Sequence, residues 1–274
     1  YETMDFYVLY NRFLKKEGYQ TLPRRPLEKR KLRYEDVYPV LYLKYRLSQQ
    51  AERSNIKHLV IDEMQDYSRL QYLIIRRMFS CKMTILGDRA QTMADQQQDV
   101  LQFLPGIFGK DLRRIEMRKS YRNTVEIASY AANLIGVTDL ELFERHGMPV
   151  LERDVSDLEA ALREAVDTLF PDEKTYETAA VIVPDEKTAE RAYLILREIL
   201  AEKDFDCGKR LSWLNRDSSS FKKGLTVTTF YLAKGLEFDQ VVSIFPKDEK
   251  REMMMQAQYI AATRALHELR VYHI

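Results

Sequence analysis

The chain has 274 residues, with 43 Lys and Arg against 42 Asp and Glu, a formal charge of +1. That length buries a large core and leaves room for two domains, while the near-neutral balance confines any nucleic-acid surface to a local patch. Cys81 and Cys207 lie far apart and form no CxxC, and the four histidines are scattered, which argues against a zinc site and fits a reducing, cytoplasmic setting. No apolar run is long enough for a membrane span.

From Tyr1 to Glu17, apolar Phe6, Val8, Leu9, Phe13 and Leu14 make a rough helical stripe with Gly18 as its stop. Between Pro23 and Arg33 cations crowd: Arg24, Arg25, Lys29, Arg30, Lys31 and Arg33 read as a solvated loop or, alternatively, as a phosphate contact. A second helix is predicted over Tyr34 to Gln50, with Tyr38, Leu41, Tyr42, Tyr45 and Leu47 mostly on one face.

Leu59, Val60 and Ile61 read as the end of a buried strand that runs straight into Asp62, Glu63, Gln65 and Asp66, where burial is costly. Strand carboxyl ends line the ligand crevice of an open α/β sheet, so Asp62 is placed to hold Mg²⁺ and Glu63 to activate a water. The plainer reading makes this a capped helix start, with Asp66 or Ser68 as N-cap before QYLIIRRMF. A further strand, Lys82 to Leu86, ends in Gly87-Asp88-Arg89-Ala90-Gln91, where Gly87 allows close backbone approach and Gln91 can bond a phosphate oxygen or the attacking water.

Pro105, Gly106 and Gly109 mark a domain seam, putting residues 1–110 in a first domain and 111–274 in a second. Beyond it, Leu112 to Met117 is a candidate strand leading into Ser120-Tyr121-Arg122-Asn123-Thr124 and a helix, VEIASYAANLIG. Helices over Asp157 to Leu169, Asp185 to Ala201 and Glu252 to Leu266 alternate with strands over Ala179 to Val183, Leu225 to Thr229, Gln240 to Phe245 and Leu269 to Tyr272. That alternation predicts an α/β fold, a mostly parallel sheet covered on both faces. Lys203 to Arg210 reads as a loop.

Taken together and in order, VIDEMQDYSRLQ, ILGDRAQ, KSYRNTVEIASYAANLI, TTFYLAKGLEFD and YIAATRAL resemble the Walker B, GDxxQ, NYRS, KGLEF and TRA motifs of UvrD/Rep-type superfamily 1 helicases. The resemblance implies two P-loop NTPase (RecA-like) domains with ATP and Mg²⁺ held between them. By it, Asp62 coordinates Mg²⁺, Glu63 is the general base, Gln91 senses the γ-phosphate, and Arg122 and Arg264 reach that phosphate from the second domain. Gln65, Gly235 and Glu237 complete the nucleotide site. A guanidinium suits its share of this work, since it donates to phosphate in bidentate fashion and stabilises developing charge.

Departures from the family pattern are equally specific. No G-x-x-x-x-G-K-[ST] string occurs in the chain, and Gly208-Lys209-Arg210 lacks both the upstream glycine and the hydroxyl residue. The chain is therefore expected to be the C-terminal part of a longer protein, with an incomplete first domain and a complete second one. After Gln91, Thr92-Met93-Ala94-Asp95 stand where the family places base-stacking Tyr and Trp, and Tyr231 stands where it places a DNA-contacting histidine. The short stretch between Ala201 and Leu225 leaves no room for the family's large accessory domain. These features, with YEDVYPVLYLK ahead of the acidic strand end, resemble the HelD group, helicase IV-like proteins that act on RNA polymerase. Two functions follow: an ATP-dependent DNA helicase or translocase motor, or an ATPase that remodels RNA polymerase without unwinding DNA.

Overall fold

The computed structural model describes residues 5–48, 55–88, 91, 99–117, 119–138, 141–169, 176–202, 210–218, 223–247 and 252–274. Contacts divide the chain into two units: one of residues 1–89 and 96–114, the other of residues 115–274 together with residues 90–95, the segment that carries Gln91.

The first unit opens with α1 (Phe6–Lys16) and α2 (Tyr34–Leu47). Asp5 caps α1 by accepting from the Val8 N–H at 3.2 Å, and Gly18, at φ 77°, ends it. Tyr7, Tyr10 and Leu14 of α1 bury with Leu22 against Val40 and Leu43 of α2. Two short parallel strands follow, β1 (His58–Ile61) and β2 (Lys82–Ile85), joined through α3 (Arg69–Met78). The cap of α3 is Ser68 rather than Asp66: its hydroxyl accepts from the Gln71 N–H while the Gln71 side chain accepts from the Ser68 N–H, a capping box. Ile61, Tyr72, Val100 and Leu104 form the core beneath, the last two from α4 (Val100–Phe108). That helix runs through Pro105 and Gly106 and ends at Phe108, ahead of Gly109.

Leu112 to Met117, expected as a strand, is not one. Ile115 and Met117 are 87% and 84% exposed, so the apolar positions that suggested a strand have no sheet to cover. The second unit instead starts with two short parallel strands, β3 (Lys119–Ser120) and β4 (Glu141–Leu142), which flank α5 (Val125–Leu134). Then come β5 (Leu151–Asp154), α6 (Leu158–Val166), β6 (Thr178–Val183), α7 (Glu186–Glu202), β7 (Leu211–Trp213), β8 (Gly224–Thr229), the short α8 (Phe230–Ala233), β9 (Phe238–Phe245), α9 (Glu252–Ala262) and β10 (Ala265–His273). The third predicted helix stops at Ala262 and not Leu266, because Ala265 already pairs with Phe238 in the sheet. Most of the Lys203 to Arg210 stretch lies outside the described residues, as do Arg89, Ala90 and Thr92 to Asp95.

Six of these strands make one parallel sheet in the order β5-β10-β9-β6-β8-β7. Its middle strands are apolar or β-branched almost throughout, as a sheet covered on both faces requires. Side chains alternate in the two-residue period of a strand: Val181 and Val183 enter one core with Leu162 of α6 and Leu196 of α7, while Ala180 and Ile182 enter another with Ile127 of α5 and Ala261 of α9. The α/β architecture expected from the sequence is thus the one observed.

Candidate nucleotide site

In the first unit, the acidic cluster leaves the carboxyl end of β1. The Leu86 N–H donates to the Ile61 carbonyl and the Met64 N–H to the Leu86 carbonyl, both at 2.8 Å, so β1 and β2 stay joined just past their last ladder pair. Asp62 is exposed, and its Oδ1 accepts from the Glu63 N–H at 2.8 Å. Glu63 has φ 53° and ψ 49°, the only non-glycine residue with positive φ among those described. Glutamate gains nothing locally in the left-handed region, so this backbone costs about 1–3 kcal/mol and is held by its surroundings.

Gln65 supplies part of that hold. It is 9% exposed, donates from Nε2 to Glu63 Oε2 at 2.6 Å and accepts at Oε1 from the Asp88 N–H at 3.1 Å, which ties both strand ends together. Gly87 makes the approach possible, because a Cβ there would lie 2.4 Å from Gln65 Oε1 and 2.7 Å from the Met64 nitrogen. Tyr72, fully buried, closes the floor by donating to the Met64 carbonyl at 3.1 Å. Burial raises its phenol far above the ordinary range, so it stays a neutral donor.

Among the described residues no group of three or more His, Cys, Asp or Glu is placed to hold a metal ion. An exposed carboxylate at a strand end, that of Asp62, does fit Mg²⁺ bound mainly by waters and phosphate oxygens, the way this ion usually takes nucleotides.

In the second unit the predicted residues gather at the amino end of the sheet. Arg264 immediately precedes β10 and is only 2% exposed. Its guanidinium and Nε donate to Gln91 Oε1 at 3.2 Å, Thr263 Oγ1 at 3.1 Å, the Ile260 carbonyl at 3.2 Å and the Leu236 carbonyl at 3.4 Å. A buried cation is tolerable only when its donors are satisfied in this way. Gln91, 9% exposed, also accepts at its carbonyl from Lys234 Nζ at 3.2 Å. Gly235, at φ 82°, turns the chain between that lysine and Glu237.

Arg122 pairs with Glu237, Nε to Oε1 at 2.7 Å, with both side chains nearly half exposed. The neighbour that positions it was missed: Asn123 is buried and donates from Nδ2 to the carbonyls of Thr263, at 3.3 Å, and Ala265, at 2.6 Å. Asn123 therefore fastens the Arg122 turn to the turn bearing Arg264, and Thr124 then caps α5. Lys234 was likewise missed. Both lie within strings the sequence had singled out, but only the fold shows what they touch.

Asp62, Glu63 and Gln65 are thus brought together in the first unit, and Gln91 with Arg264, and Arg122 with Glu237, in the second. Residues 2–93 match the UvrD/REP helicase N-terminal domain family. The matched span includes Asp62, Glu63, Gln65 and Gln91 and ends ahead of Arg122, Gly235, Glu237 and Arg264. No curated protein matches the chain. Among solved structures it is similar to the C-terminal domain of a possible DNA helicase from Lactobacillus plantarum WCFS1, at 24% identity and a TM-score of 0.44, over 57% of this chain and 88% of that one. It is also similar to the PRRSV helicase, at 18% identity and a TM-score of 0.42, over 79% of this chain and 35% of that one. A third likeness is to the arterivirus nonstructural protein 10 helicase in complex with DNA, at 13% identity and a TM-score of 0.41, over 82% of this chain and 41% of that one. No helix among the described residues is long and apolar enough to cross a membrane.

Proposed function

We propose that the chain is the motor portion of an ATP-dependent DNA helicase or translocase, with RecA-like units that use ATP and Mg²⁺. The observation that carries this reading is Glu63, held in a left-handed backbone beside Asp62 at a strand carboxyl end and braced by Gln65. Asp62 Oδ2 is the atom that would hold Mg²⁺, an ion that neutralises charge on the β- and γ-phosphates when bound. Glu63 accepts the proton of the attacking water, and the Gln65 amide fixes the direction of its carboxylate. Gln91 and Arg264 act as a linked pair, in which Gln91 holds the guanidinium until a phosphate oxygen takes its place. Arg122, exposed and paired with Glu237, is the second arginine available to phosphate charge.

The 274 residues contain no glycine-rich phosphate cradle, so this chain by itself is expected to bind ATP weakly and to hydrolyse it negligibly.

One observation favours a HelD-type reading, an ATPase that remodels RNA polymerase rather than unwinding DNA. Tyr231 lies against Phe230 edge to face and under the Arg216 guanidinium, 5.8 Å from its ring centre, so its face is engaged within the protein. The deciding experiment measures ATP turnover by the whole protein with single-stranded DNA and, separately, with core RNA polymerase at matched salt. Strong stimulation by DNA with duplex unwinding supports the helicase, stimulation by polymerase alone supports the remodeller, and no turnover in any condition removes both.

A further inference from the structure

Away from the carboxylates and arginines, the first unit carries a cavity of about 240 Å³ whose lining includes Gln20, Thr21, Arg25, Lys31 and Arg33. Its walls belong to one loop between α1 and α2, and that loop is fixed at several points. Asn11 donates to the Leu22 carbonyl and accepts from the Leu22 N–H, at 3.1 and 2.7 Å, and Tyr7 donates to the Pro23 carbonyl at 2.7 Å. At the other end, Arg30 grips both oxygens of Asp5 at 2.9 and 2.8 Å, donates to the Arg25 carbonyl at 3.0 Å and covers the Tyr7 ring at 4.8 Å. Arg33 binds Asp36 at 2.7 Å.

Arg30 and Arg33 are thus committed to holding the loop. Arg25 and Lys31 are exposed and form no ion pair among the described residues, although Glu28 is close in sequence. A loop with Arg24, Arg25, Lys29, Arg30, Lys31 and Arg33 against the lone acid Glu28 concentrates like charge in a protein whose net charge is +1. Such crowding raises the energy of the free protein and is relieved by an anion. A prearranged loop also loses little conformational entropy when it binds one. The loop is bracketed by tyrosines: Tyr19 is 65% exposed and Tyr34 77% exposed. Cations interleaved with exposed rings match a chain of phosphates and bases better than they match an acidic peptide.

We propose that this loop is a docking site for a single nucleic-acid strand, with a backbone phosphate entering the cavity against Thr21, Arg25 and Lys31 and a base stacking on Tyr34. The site rests on the nucleic-acid motor reading but not on the ATP chemistry. Thr21 donates its hydroxyl to the phosphate, the two cations neutralise it, and Gln20 adds an amide donor.

The test is fluorescence anisotropy of labelled oligothymidylate with the full chain across a salt series, with polyglutamate as competitor. Arg25→Ala/Lys31→Ala is expected to weaken binding roughly tenfold and to lower the slope of log affinity against log salt by about 0.7, since the two cations share one phosphate and each single-strand phosphate contact contributes about 0.7. Tyr34→Ala is expected to weaken binding by fivefold or more with the slope unchanged, because stacking releases no ions. Arg24→Ala, outside the cavity lining, is expected to lose far less, and unchanged far-ultraviolet spectra and melting confirm the fold of each variant. Unchanged affinity and slope in the double variant overturn the site while leaving the motor reading intact. An equal loss in Arg24→Ala, or competition by polyglutamate as strong as by unlabelled oligonucleotide, overturns it too. Absence of any oligonucleotide binding by the wild-type chain overturns the site, and the motor reading is then judged on ATP turnover of the whole protein.

Discussion

The two units hold their candidate site residues at opposite ends of their strands. In the first, Asp62, Glu63 and Gln65 come off the carboxyl end of β1, where the sheet is only two strands wide and Val60 is 60% exposed. In the second, Arg264, Glu237 and Gly235 sit at the amino ends of β9 and β10, within a six-stranded sheet whose central residues are fully buried. The chemistry differs accordingly. Asp62 is exposed beside the strained backbone of Glu63, whereas the Arg264 guanidinium is buried, bonded to Gln91 Oε1, Thr263 Oγ1 and the Ile260 and Leu236 carbonyls, and anchored to the sheet. A strained turn braced by a few hydrogen bonds suits groups that do proton chemistry; a buried, fully bonded cation suits a group that must hold its position until charge develops nearby.

The contrast can be broken at each side. On the carboxylate side, Asp62→Asn is expected to reduce ATP turnover of the whole protein by about a hundredfold or more and to weaken Mg²⁺-dependent nucleotide binding, since a neutral amide gives the ion a poorer ligand. Turnover within a few-fold of wild type would take Asp62 out of the metal's coordination.

On the arginine side the prediction is about stability and separates two residues of one type. Arg264→Ala leaves a cavity and several buried carbonyls unbonded, and should destabilise the second unit by about 2–4 kcal/mol. Arg122→Ala breaks only a half-exposed ion pair, worth about 0–1 kcal/mol. Denaturant unfolding of both variants checks this, and equal losses would show that burial does not distinguish them.

Gly87→Ala sharpens the account of the first unit. The added methyl meets Gln65 Oε1 and the Met64 backbone, so a loss of about 1–3 kcal/mol is expected, with faster amide exchange at Met64 and Asp88. Native-like exchange in the variant would mean that the two strand ends are not held as described.

The smallest effect concerns pH. Glu126 accepts from His146 and from the Gly147 N–H, both at 2.9 Å, and these bonds hold its carboxyl down at about 2. A folded pKa below the unfolded one gives stability that is complete above the ordinary glutamate range and is lost as pH falls towards about 2. Thermal melts of Glu126→Gln should therefore be flatter than wild type across that acidic window and slightly lower above it; identical profiles would contradict the assignment.

Much of this was legible in the sequence because each piece had a local cause. The apolar runs of β6, β8 and β9 marked a buried parallel sheet, and Ser68 was one of the two caps, with Asp66, that the sequence offered for α3. Acids directly after Leu59-Val60-Ile61 marked the carboxylate site, since nothing in a strand core explains them. What stayed hidden had nonlocal causes. Leu112 to Met117 has strand-like residues but no partner strand, and β5 and β7, at the sheet edges, are too short and too polar to stand out. Ala265 and Leu266 favour a helix on their own, yet pairing with β9 claims them for β10. The positive φ of Glu63 and the clasp of Asn123 on the Thr263 and Ala265 carbonyls depend on residues brought together only by folding.

The central claim is that Glu63 is the proton acceptor of an ATPase, and it is tested most directly by measuring ATP turnover and nucleotide affinity side by side for the whole protein and its Glu63→Gln variant. The amide keeps the shape and its contact with Gln65 but cannot take a proton, so turnover should fall by about 10²–10⁴-fold while affinity for Mg²⁺-ATP stays within a few-fold of wild type. Turnover at the wild-type rate, or a loss of nucleotide binding as large as the loss of turnover, would contradict that role.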